Sequence, residues 1–254
     1  MAIPLLRKIG LGACISYFGM IGTMQAYASV VIGGTRVVFA APASETTVKL
    51  TNPGSLPGLV QAWIDVGDPQ ASPDTIQTPF TVTPPVSRVD PGTAQTLRIF
   101  RFENNMPGDR ETVYWLNVLE VPPKPDVADE TSRMQLAFRT RIKLFYRPEG
   151  LKGSPQDAPG QVIWQLVKEN AQLQLEGFNP TPFHVSYSQV QLGSGDKAPR
   201  TGSGDMIGPG QRKRFPLVGG MAAEAAPQVH WQAINDQGGD IDGTSPFSRT
   251  APTP

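Results

Sequence analysis

The sequence predicts an all-β protein made of β-sandwiches. Its 26 prolines and 26 glycines fall between short runs of residues. Proline removes a backbone donor and glycine lowers helix stability, so this density excludes long helices. The runs are rich in Val, Ile, Thr and aromatic residues, many with apolar side chains at alternate positions, as in strands with one buried face. Turn signals separate the runs at intervals typical of a sandwich.

In chain order, residues 1–28 predict a secretory signal peptide. Arg7 and Lys8 precede an apolar run that ends near Met24, and Ala26-Tyr27-Ala28 is a small-x-small cleavage site. The run is broken by Gly and is a poor membrane span. Leu11-Gly12-Ala13-Cys14 is only a faint lipoprotein box, since cleavage there leaves almost no apolar stretch behind Lys8. The mature chain, from Ser29, is therefore expected to be exported and not inserted in a membrane. Residues 29–148 form a first domain with strand-like runs at 36–40, 46–51, 59–66, 80–83, 95–101, 112–121 and 134–146. Asn52-Pro53-Gly54, Asp68-Pro69, Asp90-Pro91-Gly92 and Met106-Pro107-Gly108-Asp109 mark turns between them. Residues 149–160 are rich in Gly, Pro and polar side chains, as a linker is. A second domain, 161–240, follows, with runs at 162–167, 171–176, 184–192, 212–216 and 228–235. Residues 193–210 read as an exposed loop and 241–254 as a frayed polar tail.

The single cysteine, Cys14, lies in the signal segment, so the mature fold is held by its cores and not by disulfides. Lys and Arg number 22 and Asp and Glu 22, a balance with no footprint for nucleic acid. No Gly-x-Ser-x-Gly elbow, phosphate loop or His-Glu-x-x-His occurs. The two histidines, His184 and His230, stand alone and read as structural. Carboxylates are plentiful, but no local motif marks a catalytic pair. The expectation is a protein without catalytic residues, metal or cofactor.

The most informative stretch is 134–148. Met134, Leu136, Phe138, Ile142 and Leu144 alternate on one face; Gln135, Arg139, Arg141 and Lys143 lie on the other. Two readings stand at this point: an ordinary edge strand whose charges deter aggregation, or a strand shaped to meet something outside the chain.

Several segments, in order, resemble the PapD-like periplasmic chaperones of the chaperone–usher pilus pathway. They include Thr35-Arg36, Val60-Gln-Ala-Trp-Ile64, Thr83-Pro-Pro-Val86, Asp90-Pro-Gly92, Trp115-Leu-Asn117, Arg141-Ile-Lys-Leu-Phe-Tyr-Arg-Pro148, Asn179-Pro-Thr-Pro182 and Ile234-Asn-Asp236. The resemblance implies two immunoglobulin-like β-sandwich domains in a boomerang with a cleft between them. It implies a function too: binding and capping pilin subunits by donor-strand complementation, then delivery to an outer-membrane usher. Met134, Leu136, Phe138 and Ile142 would enter the subunit. Arg36 and Lys143 would anchor its terminal carboxylate, although Lys143 has the opposite parity to the apolar donors. Glu111, Arg147 and Asp236 would form an interdomain charge network, and Thr83-Pro84 a cis peptide. The short connection 124–133 resembles the branch that serves thick rod-like pili. A second copy capping the apolar edge is a further partner. The competing class is an exported two-domain adhesin or ligand-binding module; an exported carbohydrate-active enzyme is a third.

Overall fold

The structure, a computed structural model, describes residues 30–103, 105–123, 136–169, 172–195, 198–219 and 228–248. The signal segment 1–28, the connection 124–133 and Met134 lie outside the described residues. Among the described residues no helix is long and apolar enough to cross a membrane.

The first half comprises β1 (Val31–Ile32), β2 (Arg36–Ala40), β3 (Glu45–Thr51), β4 (Gly58–Asp65), β5 (Phe80–Thr83), β6 (Val86–Val89), β7 (Ala94–Arg101), β8 (Thr112–Val121) and β9 (Phe138–Arg147). They form two sheets, ordered β1-β3-β7-β5 and β2-β9-β8-β4-β6. Alternation decides the buried face. Val48 and Leu50 of β3 and Leu97 and Ile99 of β7 share one core with Leu116 and Val118 of β8 and Ile142 and Leu144 of β9. At the first turn signal, Asn52 explains itself: its Nδ2 donates to the carbonyls of Leu56 (2.8 Å) and Val89 (2.9 Å), and its Oδ1 accepts from Gly54 N–H. The Thr83-Pro84 peptide is cis.

The second half comprises α1 (Ala158–Gln161), β10 (Ile163–Glu169), β11 (Gln172–Phe178), β12 (Val185–Leu192), β13 (Arg200–Thr201), β14 (Asp205–Ile207), β15 (Arg212–Val218), β16 (Gln228–Ile234) and β17 (Asp240–Ser248). The order is β13-β15-β11-β10-β17-β16-β12-β14, and β13 also pairs with β12. Trp164, Tyr187, Phe215 and Trp231 fill this second, separate core.

Three sequence-based expectations change here. The linker 149–160 is not all connection: α1 begins at Ala158, which is fully buried, and Pro159 O accepts the Tyr187 hydroxyl at 2.7 Å. The loop 193–210 contains β13 and β14 and buries Ala198, Thr201 and Ile207. The polar tail from 241 is for the most part a strand. β17 pairs with β16 from Ile234↔Asp240 to Gln228↔Pro246, and its end runs parallel to β10. Its polar and small residues hid it, because here they are structural. Ser245 Oγ accepts Trp231 Nε1 at 3.0 Å, and Gly243 lies directly under the same indole. A Cβ at 243 would sit 2.3 Å from Trp231 Cζ2. Gly243→Ala is therefore expected to destabilise the second sandwich by about 1–3 kcal/mol through overpacking, measurable by denaturant unfolding.

Candidate functional site

The parallel pairing of β2 with β9 places Arg36 beside Lys143. Both point into a cleft between the two sandwiches. Lys143 Nζ donates to Ser186 Oγ of β12 at 2.9 Å, and Arg36 Nη1 donates to Ile234 O at the end of β16 at 2.9 Å. Arg36 Nε is buried without a hydrogen-bond partner among the described residues. Burial, and then the neighbouring charge of Arg36, lower Lys143 to about 8, partly offset by Asp205. Burial also lowers Arg36, against the pull of Asp236 and Glu111. No carboxylate among the described residues hydrogen-bonds either cation. Two converging, part-desolvated cations with spare donors are a ready acceptor site for one carboxylate.

Arg147, at the end of β9, ties the sandwiches together. Its Nη1 and Nη2 make a fork to Asp236 at 2.7 and 2.8 Å, and its Nε reaches Glu111 Oε1 at 2.5 Å. Burial opposes its charge, but Asp236 and Glu111 outweigh burial and raise its pKa. Glu111 Oε2 also accepts the backbone N–H of His184 at 2.8 Å, with His184 Nδ1 at 3.3 Å. The structure thus brings Glu111, Arg147 and Asp236 into contact across the cleft floor.

β9 is unevenly covered. β2 pairs only with residues 143–147, so among the described residues 138–142 have β8 on one side and an open edge on the other. Leu136 and Phe138 are 55% and 61% exposed at this end. Ile142 differs from the expectation. It shares their face but is only 7% exposed, because it stands over the first sandwich and not beyond its rim, and it closes that core. It is not free to enter another molecule. The parity of Lys143 also has a simple account. β9 pairs with β8 in continuous register from Glu120↔Phe138 to Thr112↔Tyr146, so no bulge intervenes and the cations use the face opposite the apolar end.

Sequence reasoning missed Ser186 and His184 as cleft residues; both follow the Asn179-Pro-Thr-Pro182 segment directly, which is the signal that points to them. It also missed Asp65 and Asn117, which bond Arg141 and Arg139.

The geometry defines a class: a two-sandwich protein with a half-open strand and a pair of cations in the cleft between its domains. Comparison with known proteins narrows this class. Residues 29–152 match the pili and flagellar-assembly chaperone, PapD N-terminal domain, and residues 157–245 match the pili assembly chaperone PapD, C-terminal domain. The chain belongs to this family of pilus-assembly chaperones. It is 45% identical over 223 residues to the probable fimbrial chaperone YadV of Escherichia coli strain K12, covering 86% of this chain and 89% of that protein. The crystal structure of YadV aligns with a TM-score of 0.72 over 86% of this chain and 99% of the other. Identity to the chaperone protein FimB/FhaD of Bordetella pertussis strain Tohama I is 44% over 242 residues, 92% of this chain and 94% of that one. A chain in the solved complex of the Salmonella enterica SafA pilin with the SafB chaperone is 31% identical, with a TM-score of 0.70, covering 85% and 95%.

Proposed function

We propose that the chain works in the periplasm, captures fimbrial subunits by lending them the open end of β9, and yields them to an outer-membrane usher. The observation that carries this reading is the continuity of one strand: an apolar end with a free edge at 136–142, then Lys143 beside Arg36. An incoming subunit strand would pair with the open edge through main-chain hydrogen bonds, the mode by which chaperone–pilin pairs are known to associate. Leu136 and Phe138 would fill the subunit's groove, each contributing about 1.5–3 kcal/mol when fully buried. The subunit's terminal carboxylate would sit between Arg36 and Lys143 and set the register. The SafB–SafA complex, a chaperone with a pilin, supports the same class of partner. Binding and release need no covalent bond to be made or broken, so the chain is read as a non-enzyme. Residues 1–28 would be removed as a signal peptide, which fits the periplasmic setting.

The test is co-expression with a fimbrial subunit in a periplasm lacking other chaperones. Subunit accumulating in complex with the chain supports the reading; subunit degraded regardless of the chain defeats it.

The anchor also makes capture depend on pH. Free Lys143 titrates at about 8, and a carboxylate beside it raises that value in the complex. Below pH 8 the lysine is already charged and affinity is flat. Above it, binding must take up a proton, so affinity is expected to fall by up to about tenfold per pH unit. Capture by the wild-type chain measured at pH 7, 8 and 9 checks this: a fall concentrated between 8 and 9 is expected, and an affinity unchanged from 7 to 9 contradicts it.

A further inference from the structure

Little holds the donor end of β9 in place. β2 reaches no further than Lys143 and the first core ends at Ile142, so among the described residues β8 is the one strand paired with 138–142. A strand end with one neighbour frays easily. Arg139 and Arg141, however, are tied across the sheet. Asp65 of β4 is fully buried and accepts Arg141 Nε at 2.9 Å, Arg141 Nη2 at 2.5 Å and Gly67 N–H at 2.7 Å. Asn117 of β8 stands between the arginines. Its Nδ2 donates to Asp65 Oδ2 at 2.8 Å, and its Oδ1 accepts Arg139 Nε at 2.9 Å and Nη2 at 2.7 Å. Arg139 Nη1 reaches Pro69 O at 2.6 Å. The guanidinium of Arg141 lies 4.1 Å over Trp115 and that of Arg139 4.9 Å over Trp63. Burial alone would raise Asp65, but bonds from Arg141 and Asn117 hold it below the usual carboxylate range.

The order β2-β9-β8-β4 puts Asn117 and Asp65 on the β8 side of β9, so both guanidiniums reach away from the open edge. Cations on an exposed edge ordinarily discourage strand pairing. Here the heads are withdrawn onto the sheet face and the edge is left clear.

We propose that Asp65 and Asn117, acting through Arg139 and Arg141, are positioning residues that hold residues 138–142 extended, with their outer edge open, before a subunit arrives. The inference rests on the strand-lending reading and adds to it a source of preorganisation, which lowers the ordering cost of binding.

Amide hydrogen exchange of the free protein, followed by capture kinetics of a denatured fimbrial subunit, tests it. Asp65→Asn removes the central charge. The double variant Arg139→Gln/Arg141→Gln removes the heads from the β9 side and leaves Asp65 bonded to Asn117 and Gly67. Each is expected to speed exchange at 138–142 by about tenfold, with residues 143–147 and the second sandwich unchanged. Capture should slow by a similar factor while keeping the pH profile set by Lys143. Unchanged exchange at 138–142 overturns the proposal. Equal loosening throughout β4 and β8 also overturns it, because the ladder is then general scaffolding. Should either variant fail to fold, Asn117→Ala, which frees Arg139 and leaves Asp65 paired with Arg141, decides on the same readout. Failure of the wild type to capture any subunit refutes the strand-lending reading but not the ladder, which is read on the free protein.

Discussion

Lys143→Met is expected to abolish stable subunit capture while leaving the fold intact or slightly firmer. The lysine donates to Ser186 Oγ and lies next to Arg36 in the register of β2 with β9. Removing one partner of a buried, hydrogen-bonded charge pair costs about 2–5 kcal/mol of binding, which corresponds to a loss of roughly thirty- to several-thousand-fold. Stability moves differently. Burial and Arg36 depress the pKa of Lys143 to about 8 from its ordinary value of 10.5. Below pH 8 the folded protein bears the whole cost of that charge. Between 8 and 10.5 the unfolded chain binds more protons than the folded one, so wild-type stability rises with pH across that window. The Met variant lacks this rise and unfolds at or above the wild-type temperature at pH 7. Calorimetry in parallel with subunit co-purification separates the two effects.

Arg147→Met is expected to do the reverse, damaging the fold first and capture as a consequence. Arg147 is the sole side chain among the described residues seen to bridge Glu111 and Asp236. The Glu111 side chain is 1% exposed. Without the guanidinium it keeps the His184 N–H, but its charge is left uncompensated. Breaking such a pair from one side costs about 3–5 kcal/mol. The interface opens, and Lys143 and Arg36 lose the fixed positions of Ser186 and Ile234. Urea unfolding should show the loss, and the double variant Glu111→Gln/Arg147→Met should recover part of it, because the stranded charge is gone.

Much of this was legible in the sequence, and the limits have physical causes. The strands of the first sandwich announce themselves because one face meets a core and the other meets water, which writes period two into residues such as Val48-Lys49-Leu50. The same period misplaced Ile142, since alternation tells which face a residue takes but not where along the strand the core ends. β17 looks like a tail in the sequence because two of its core-facing positions, between Ile241 and Phe247, are Gly243 and Ser245, which fit Trp231 and supply little apolar area. Arg36 and Lys143 lie far apart in the chain, and only the parallel pairing of β2 with β9 joins them; composition and spacing are blind to that, and the family resemblance supplied it. Asp65 carried no signal at all. At the end of β4 it looks like a turn residue, and its partners come from β8 and β9.

In the proposed complex a subunit's own C-terminal carboxylate, held between Arg36 and Lys143, registers its last strand on the open edge of β9. The most direct test is periplasmic co-purification of the tagged chain with a fimbrial subunit that ends naturally and with the same subunit extended by a short C-terminal peptide, which moves the carboxylate out of register. The natural subunit is expected to accompany the wild-type chain, and to be lost both on extension and on Lys143→Met. Equal recovery of the natural and extended subunits by the wild-type chain, undiminished in Lys143→Met, would contradict it.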